Sequence, residues 1–298
     1  MLSSIAKLIT RHSISPHLKR AHSPAQPFST SFARAMKVTP VPVRDDNYAY
    51  IVSDGAKGVF VDPYDLGKVQ DAAQKLGVSE IVGSITTHHH FDHSGGNEAF
   101  AKAYPSATVW GGSDKCPAMT KQVKHGDSFA LWQGSNIQAK IYATPCHTQD
   151  SHAFFLQDEA GKKGVFTGDT LFVGGCGRFF EGTPEEMHRA LNTVLASLPD
   201  DTIVYCGHEY TGGNIAFGIG VLPQRKSVQD LAAFVKEKRN NGVTTGVFTI
   251  ADEKKHNVFM LVDDEEVAEA IGAKGKGPVE VMRILREYKN NGKMQVNL

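Results

Sequence analysis

The residue types able to do chemistry concentrate in one run, His88-His89-His90-Phe91-Asp92-His93, and in three further positions, His147, Asp169 and His208. Imidazole and carboxylate are the ligand set of zinc, iron and manganese. Alternate positions of a His-x-His-x-Asp-His run can direct donors toward two adjacent cavities, which leaves His89 pointing elsewhere. Counting His88, His90, Asp92, His93, His147, Asp169 and His208 gives seven candidate ligands, more than the four that close a structural zinc site. Such a set suits two metals sharing a carboxylate and a water whose pKa they lower toward neutrality. The isolated His125, His152, His188 and His256 are read as ordinary hydrogen-bonded or solvent-facing residues.

Rigid elements must deliver these donors to one place, and the surrounding residues suggest how. Residues 81–87, 141–145, 165–168 and 203–207 are apolar or β-branched runs, and each leads directly into a ligand type: His88, Cys146-His147, Asp169 and His208. In layered sheets the carboxyl ends of strands gather sites, because the sheet fixes the residue while the loop leaves it accessible. By the same pattern, residues 48–53, 58–62, 81–86, 107–110, 138–144, 153–156, 164–167 and 202–206 read as strands. Residues 65–76 and 97–104 read as helices. A third helix is predicted over 183–198, with Thr183 as cap, Pro184 in the first turn, Glu186 completing a capping box, and Met187, Leu191 and Leu195 on one face. Ser94-Gly95-Gly96-Asn97 can turn tightly beside the ligands. Beyond Tyr210 the pattern becomes helical, with one run through Leu231, Phe234 and Val235 ending at Asn240-Asn241-Gly242 and a last helix over 278–289. The expectation is an α/β (α+β) layered domain over 36–208 and a smaller helical unit over 209–298.

The run Thr86-Thr87-His88-His89-His90-Phe91-Asp92-His93-Ser94-Gly95-Gly96-Asn97 resembles the signature of the metallo-β-lactamase superfamily. That resemblance implies an αββα sandwich. Asp46-Asn47-Tyr48, Thr144-Pro145-Cys146-His147-Thr148, Phe166-Thr167-Gly168-Asp169-Thr170, Gly175-Cys176-Gly177-Arg178-Phe179-Phe180-Glu181-Gly182 and Tyr205-Cys206-Gly207-His208-Glu209-Tyr210 are similar to segments of one branch, the glyoxalase II or hydroxyacylglutathione hydrolase family. The likeness spans nearly all of 36–214. It implies that one metal takes His88, His90 and His147, that the other takes Asp92, His93 and His208, and that Asp169 bridges them. Asp92 and Asp169 are then the catalytic carboxylates. It further implies that Arg178, Phe180, Tyr210, Asn214, Arg286 and Lys289 hold the glutathione part of a thioester substrate. Arg286 and Lys289 are three residues apart, neighbours on a helix surface. The implied cofactors are two divalent ions, zinc first, with iron or manganese equally suited to these ligands. The implied reaction releases glutathione and a 2-hydroxy acid from S-lactoylglutathione or a related thioester.

Departures and alternatives stand beside this reading. Phe180 lacks the hydroxyl that some relatives place there, and Asn257-Val258-Phe259-Met260-Leu261 follows the family only loosely. A mononuclear-iron persulfide dioxygenase of the same superfamily is a second reading, and a catalytically silent glutathione-conjugate or metal-binding protein a third. The Gly-Cys-Gly-Arg-Phe-Phe segment and the helical extension favour the hydrolase.

Composition sets the outer bounds. The 298 residues are 41% hydrophobic and 21% charged, with 32 basic against 32 acidic side chains. No stretch approaches the roughly 18 apolar residues of a membrane span, and no broad basic field suits nucleic acid; a monomer with a small-molecule substrate is expected. From Met1 to Ala35 there are five basic residues and no acid, which leaves the remainder at a net charge of about −5. This tail resembles a mitochondrial transit peptide, so a matrix location is expected, and Met36 offers a start for a cytosolic form. Cys116, Cys146, Cys176 and Cys206 form no CxxC pair and read as reduced thiols.

Overall fold

Along residues 50–52 successive side chains enter different apolar clusters, Tyr50 and Val52 on one face and Ile51 on the other. This period of two is how a strand covered on both faces must read, and it organises the molecule. The structure, a computed structural model, describes residues 35–238 and 243–298.

One sheet runs in the order β1 (Lys37–Pro42), β2 (Tyr48–Asp54), β3 (Lys57–Val61), β4 (Glu80–Ile85), β5 (Thr108–Gly111) and β6 (Lys121–Gln122). Its first three strands pair antiparallel and β3 to β6 pair parallel. The connections contain α1 (Leu66–Lys75), capped by Asp65, the single turn α2 (Phe91–Ser94), and α3 (Asn97–Ala103). A second sheet is built from β7 (Ser128–Ala130), β8 (Ile137–Ala143), β9 (His152–Asp158) and β10 (Lys163–Gly168), all antiparallel. A small hairpin, β11 (Leu171–Phe172) and β12 (Gly175–Cys176), follows, and then β13 (Ile203–Cys206) joins β10 in parallel. Between β12 and β13 lies α4 (Pro184–His188), and after β13 come α5 (Thr211–Val221), α6 (Lys226–Lys238), α7 (Ile250–His256), α8 (Glu265–Ala270) and α9 (Pro278–Asn290).

Packing defines four layers. Val69 and Ala73 of α1 and Phe100 of α3 cover Ile51, Phe60 and Val109 on the outer face of the first sheet. Between the sheets, Val59, Val61 and Ile85 meet Ile141, Phe154, Leu156 and Phe166. Phe155, Val165 and Val204 on the far face of the second sheet share a core with Met187, Leu191, Phe217, Met282 and Leu285. This is the αββα sandwich expected from the sequence, with the C-terminal helices on one outer face.

The strand segments read from the sequence are present, and α1, α3 and α9 fall where predicted. The run 183–198 is different. Its capping box forms, with Thr183 N–H donating to Glu186 Oε2 at 2.8 Å, but α4 widens into a π-helical turn at Arg189–Val194 and ends in a tight turn at Leu195–Ser197. Met187, Leu191 and Leu195 remain buried, while Asn192 Nδ2 donates to the Phe259 carbonyl at 3.1 Å. Strands of two or three residues, such as β6, β7, β11 and β12, carry no period to read. Nor does α5, where Ile215, Ala216, Phe217 and Val221 are all buried and no polar face remains. The predicted stop at Asn240-Asn241-Gly242 and the transit-peptide segment up to residue 34 lie outside the described residues. All four cysteines are free and buried. Burial pushes the thiols of Cys116 and Cys206 up to about 12 and that of Cys176 to about 11, and it raises Cys146 as well.

Ile141 is fully buried between the sheets, and Ile141→Ala leaves a cavity that neither sheet can collapse into. The expected cost is about 2–5 kcal/mol, seen as a lower urea midpoint at unchanged slope when metal content is matched.

Candidate active site

Several strands of both sheets end at one place. β3 runs into Asp62, β4 through Thr86 and Thr87 into His88, β8 through Thr144-Pro145-Cys146 into His147, β10 into Asp169, and β13 through Gly207 into His208. The turn α2 supplies Asp92 and His93, with His90 at its N-cap position. Close approach is built in: a Cβ on Gly96 would lie 1.9 Å from the Pro63 carbonyl oxygen, so glycine there lets the junction of α2 and α3 press against the turn after Asp62. A Cβ on Gly207 would lie 2.3 Å from Asp169 Oδ1.

The seven predicted ligands come together. His88, His90 and His147 form one set of donor atoms within 4.8 Å of one another, Asp92, His93 and His208 another, and His88, His93 and Asp169 a third that joins them. Asp169 is central. Its Oδ2 lies 3.4 Å from His147 Nε2 and 3.3 Å from His208 Nε2. Its Oδ1 is buried without a hydrogen bond, 3.3 Å from His93 Nε2.

Outer partners decide which ring nitrogens carry protons. His93 Nδ1 faces Asp62 Oδ2 at 2.9 Å, His208 Nδ1 faces Asp46 Oδ1 at 3.0 Å, and His147 Nδ1 faces the Arg178 carbonyl at 3.0 Å. Thr87 Oγ1 donates its own hydrogen to Asp62 and so accepts from His88 Nδ1 at 3.1 Å. These acceptors place the proton on Nδ1 and leave lone pairs on the inward Nε2 atoms. Two of those lone pairs, on His93 Nε2 and His208 Nε2, face each other at 3.2 Å, and those of His88 and His147 converge at 3.2 and 3.0 Å on the single nitrogen His90 Nδ1, which can carry at most one proton. Acceptor against acceptor at hydrogen-bond distance is unfavourable unless a cation sits between them. The residues therefore fit a pair of metal ions.

Electrostatics divides the cluster. Burial, helped by neighbouring histidines, holds His88, His90 and His147 toward the neutral form that binds metal. Burial also opposes charge on His93 and His208, but the Asp169 carboxylate outweighs it and draws both toward protonation. Asp169 stays ionised well below the usual carboxylate range, because His93 and His208 outweigh its own burial.

The centre opens onto a cleft of about 750 Å³ bordered by all six of the residues expected to hold substrate, Arg178, Phe180, Tyr210, Asn214, Arg286 and Lys289. His88 and His93 lie buried beneath it. Phe180 is 62% exposed, with its ring 5.2 Å from that of His147. Tyr210 stacks on His208 at 4.7 Å, and burial followed by the surrounding carboxylates raises its phenol. Arg286 is buried, donating from Nη1 to the Cys176 carbonyl at 3.1 Å while its Nε has no partner. Lys289 Nζ donates to the Gly213 carbonyl at 3.1 Å, and burial and then the Arg286 charge push its pKa down to about 8. Asn214 is committed elsewhere, its amide donating to the Val173 carbonyl at 3.0 Å. His89 points away, with Nδ1 2.7 Å from Asp150 Oδ1.

Sequence reasoning passed over Asp62, Asp46 and Asn47 as side chains of the site. Asp62 closes an apolar strand, the same signal that marked Asp169, and it holds a left-handed φ of 47° while serving both Thr87 and His93. Asn47 Nδ2 donates to Asp92 Oδ2 at 3.1 Å. Asp62→Ala is expected to lower metal affinity about 10–100-fold on the His93 side, measured by competition with a chromophoric chelator.

Comparison with known proteins agrees with this geometry. A sequence profile described as the metallo-beta-lactamase superfamily matches residues 43–208, and one described as the hydroxyacylglutathione hydrolase C-terminus matches residues 209–292. The chain is 42% identical over 259 residues to the cytoplasmic hydroxyacylglutathione hydrolase of Arabidopsis thaliana, covering 86% of this chain and 98% of that one. Among solved structures, ETHE1 from Myxococcus xanthus superposes with a TM-score of 0.57 at 27% identity, covering 84% of this chain and 89% of that chain. A metallo-beta-lactamase from Staphylococcus aureus shares the fold at a TM-score of 0.56 and 22% identity, over 89% of this chain and 73% of its own. With both halves matched and the relative aligned over nearly its full length, the chain belongs to the hydroxyacylglutathione hydrolase family of the metallo-beta-lactamase superfamily.

Proposed function

We propose that this protein hydrolyses S-(2-hydroxyacyl)glutathione thioesters, S-lactoylglutathione among them, to glutathione and a 2-hydroxy acid, with zinc as the metal of both sites. The observation that carries the reading is that the Asp169 centre opens onto the same cleft as Arg178, Arg286 and Lys289. Cationic donors beside a metal-ligand cluster suit a substrate that brings carboxylates on one part and a hydrolysable carbonyl on another.

Two divalent ions, when bound, supply Lewis acidity toward an oxygen and a water pKa lowered toward 7. His88, His90 and His147 would hold one and Asp92, His93 and His208 the other, with Asp169 serving both. Asp62, Asp46 and the Arg178 carbonyl keep the Nδ1 protons of His93, His208 and His147 outward, so these rings present the same lone pairs throughout turnover. The Arg286 guanidinium and the ammonium of Lys289 put positive charge on the cleft wall, where it would attract a glutathione carboxylate. Tyr210 and Phe180 flank the centre with ring faces that limit water on either side of the thioester. Hydrolysis adds the oxygen of water to the carbonyl carbon and breaks the C–S bond. A thiol pKa of about 8.5 makes glutathione a leaving group that departs as thiolate. No protonated side chain is needed, which agrees with Asp92 and Asp169 both being held below the usual carboxylate range.

Purified protein carrying two zinc ions per chain is expected to release free thiol from S-lactoylglutathione, and Asp169→Ala to lose metal and turnover together. A fully loaded protein that leaves the thioester intact would reject the assignment. A second outcome concerns pH. Lys289 is cationic at pH 7 and loses its proton as pH rises past about 8, so its pull on a carboxylate fades above that point. The inhibition constant of S-methylglutathione should weaken between pH 7 and 9, and Lys289→Met should flatten that dependence.

A further inference from the structure

The hairpin β11–β12 joins Asp169 to Arg178 along the chain, and its Phe172 and Cys176 border the cleft. The Phe172 ring lies 5.1 Å from Tyr210 and 6.0 Å from His208. Its backbone, however, is held by side chains from the C-terminal half. Asn214 Nδ2 donates to the Val173 carbonyl at 3.0 Å, Asn257 Nδ2 to the Gly175 carbonyl at 3.0 Å, and Arg286 Nη1 to the Cys176 carbonyl at 3.1 Å. In the opposite sense, the Gly174 N–H donates to Glu253 Oε2 at 2.9 Å.

Glu253 is the unusual member. It is fully buried, where a carboxylate costs several kcal/mol unless its oxygens are satisfied. They are: besides Gly174, Oε2 accepts from Asn257 Nδ2 at 2.9 Å, and Oε1 lies 3.0 Å from His256 Nε2. The hairpin has been shaped to receive these groups. Gly174 takes a φ of 67°, and a Cβ on Gly175 would strike the Asn214 amide at 2.5 Å. A surface turn would leave such backbone groups to water; here each is met by a buried side chain fixed on a helix or at its end, so the turn has one position available to it.

We infer that Glu253 is a positioning residue for the substrate cleft: from α7 it anchors the β11–β12 turn and so holds Phe172, Cys176 and Arg178 in the wall that receives the thioester. The inference deepens the thioesterase reading, and its kinetic test rests on that reading, whereas its exchange test does not. The full-length, metal-loaded protein is compared with Glu253→Ala and Glu253→Gln. The glutamine oxygen still accepts from Gly174, and His256 can present its other tautomer to the amide. Glu253→Ala should raise KM for S-lactoylglutathione about tenfold at nearly unchanged kcat and two metals per chain. Its segment 171–177 should exchange amide hydrogen at least about tenfold faster. Glu253→Gln should restore both. A role limited to stability would lower the melting temperature yet leave KM and the exchange of 171–177 unchanged at 10 °C, and that result would overturn the inference, as would loss of metal alongside the rise in KM. If Glu253→Ala does not fold, Glu253→Leu fills the space without an acceptor and is held to the same outcomes. A wild-type protein inert toward the thioester would count against the proposed reaction alone, and the exchange comparison would still decide whether Glu253 anchors the turn.

Discussion

The structure depends on a conflict that its own hydrogen bonds create. By accepting the Nδ1 protons of His88, His93, His147 and His208, the outer oxygens commit the inner nitrogens to lone pairs, and the sheets then bring those of His93 and His208 within about 3 Å of each other and those of His88 and His147 within about 3 Å of His90 Nδ1. Among the described residues only the Asn47 amide, 3.4 Å from His208 Nε2, and whatever proton His90 carries stand against that opposition, and a cation relieves it in full. The pull of Asp169 on His93 and His208 shows the proton's route, while the burial of His88, His90 and His147 disfavours it on the other side. Affinity for metal is thus stored in the placement of neutral oxygens and carboxylates one residue shell away from the ion.

Holding such an arrangement requires rigidity from several directions. Ligands arrive from the ends of β4, β8, β10 and β13, two sheets whose inner faces share one apolar cluster. A displacement of either sheet would move His88 relative to His147, so the packing of Ile85 against Ile141 and Phe166 is part of the site's geometry as well as of its stability. The C-terminal helices extend this logic beyond the metal centre, because they share the outer core of the second sheet and also satisfy the hairpin that lies beside Asp169.

The centre was legible in the sequence because its ligands are chemically distinctive and four of them crowd into six residues, and because an apolar run ending in His or Asp is a local pattern. The layers were legible for the same reason, alternation along each strand. What escaped notice has a common cause. Asp62, Asp46 and Glu253 are single carboxylates whose roles depend on partners 25 to 162 residues away, such as Thr87, His208 and Gly174. Asp62 carries the strand-end signal that marked Asp169, but no local spacing distinguishes Asp46 or Glu253 from surface acids. The widening of the helix after His188 is similarly non-local, since Asn192 reaches Phe259 across the domain, and α5 hides its helical period because the face it exposes is made of Gly212 and Gly213 rather than of polar side chains. Asn214 illustrates the limit of likeness: it borders the cleft as expected, yet its amide is spoken for by a backbone carbonyl.

The buried cysteines carry a consequence for a protein that handles activated acyl groups. A thioester transfers its acyl chain readily to any accessible thiolate, and Cys176 borders the very cleft in which the proposed substrate would sit. With every cysteine sulfur enclosed and held in the thiol form at neutral pH, the chain offers no thiolate to the acyl group, so its cysteines resist modification by the compounds it is built to receive.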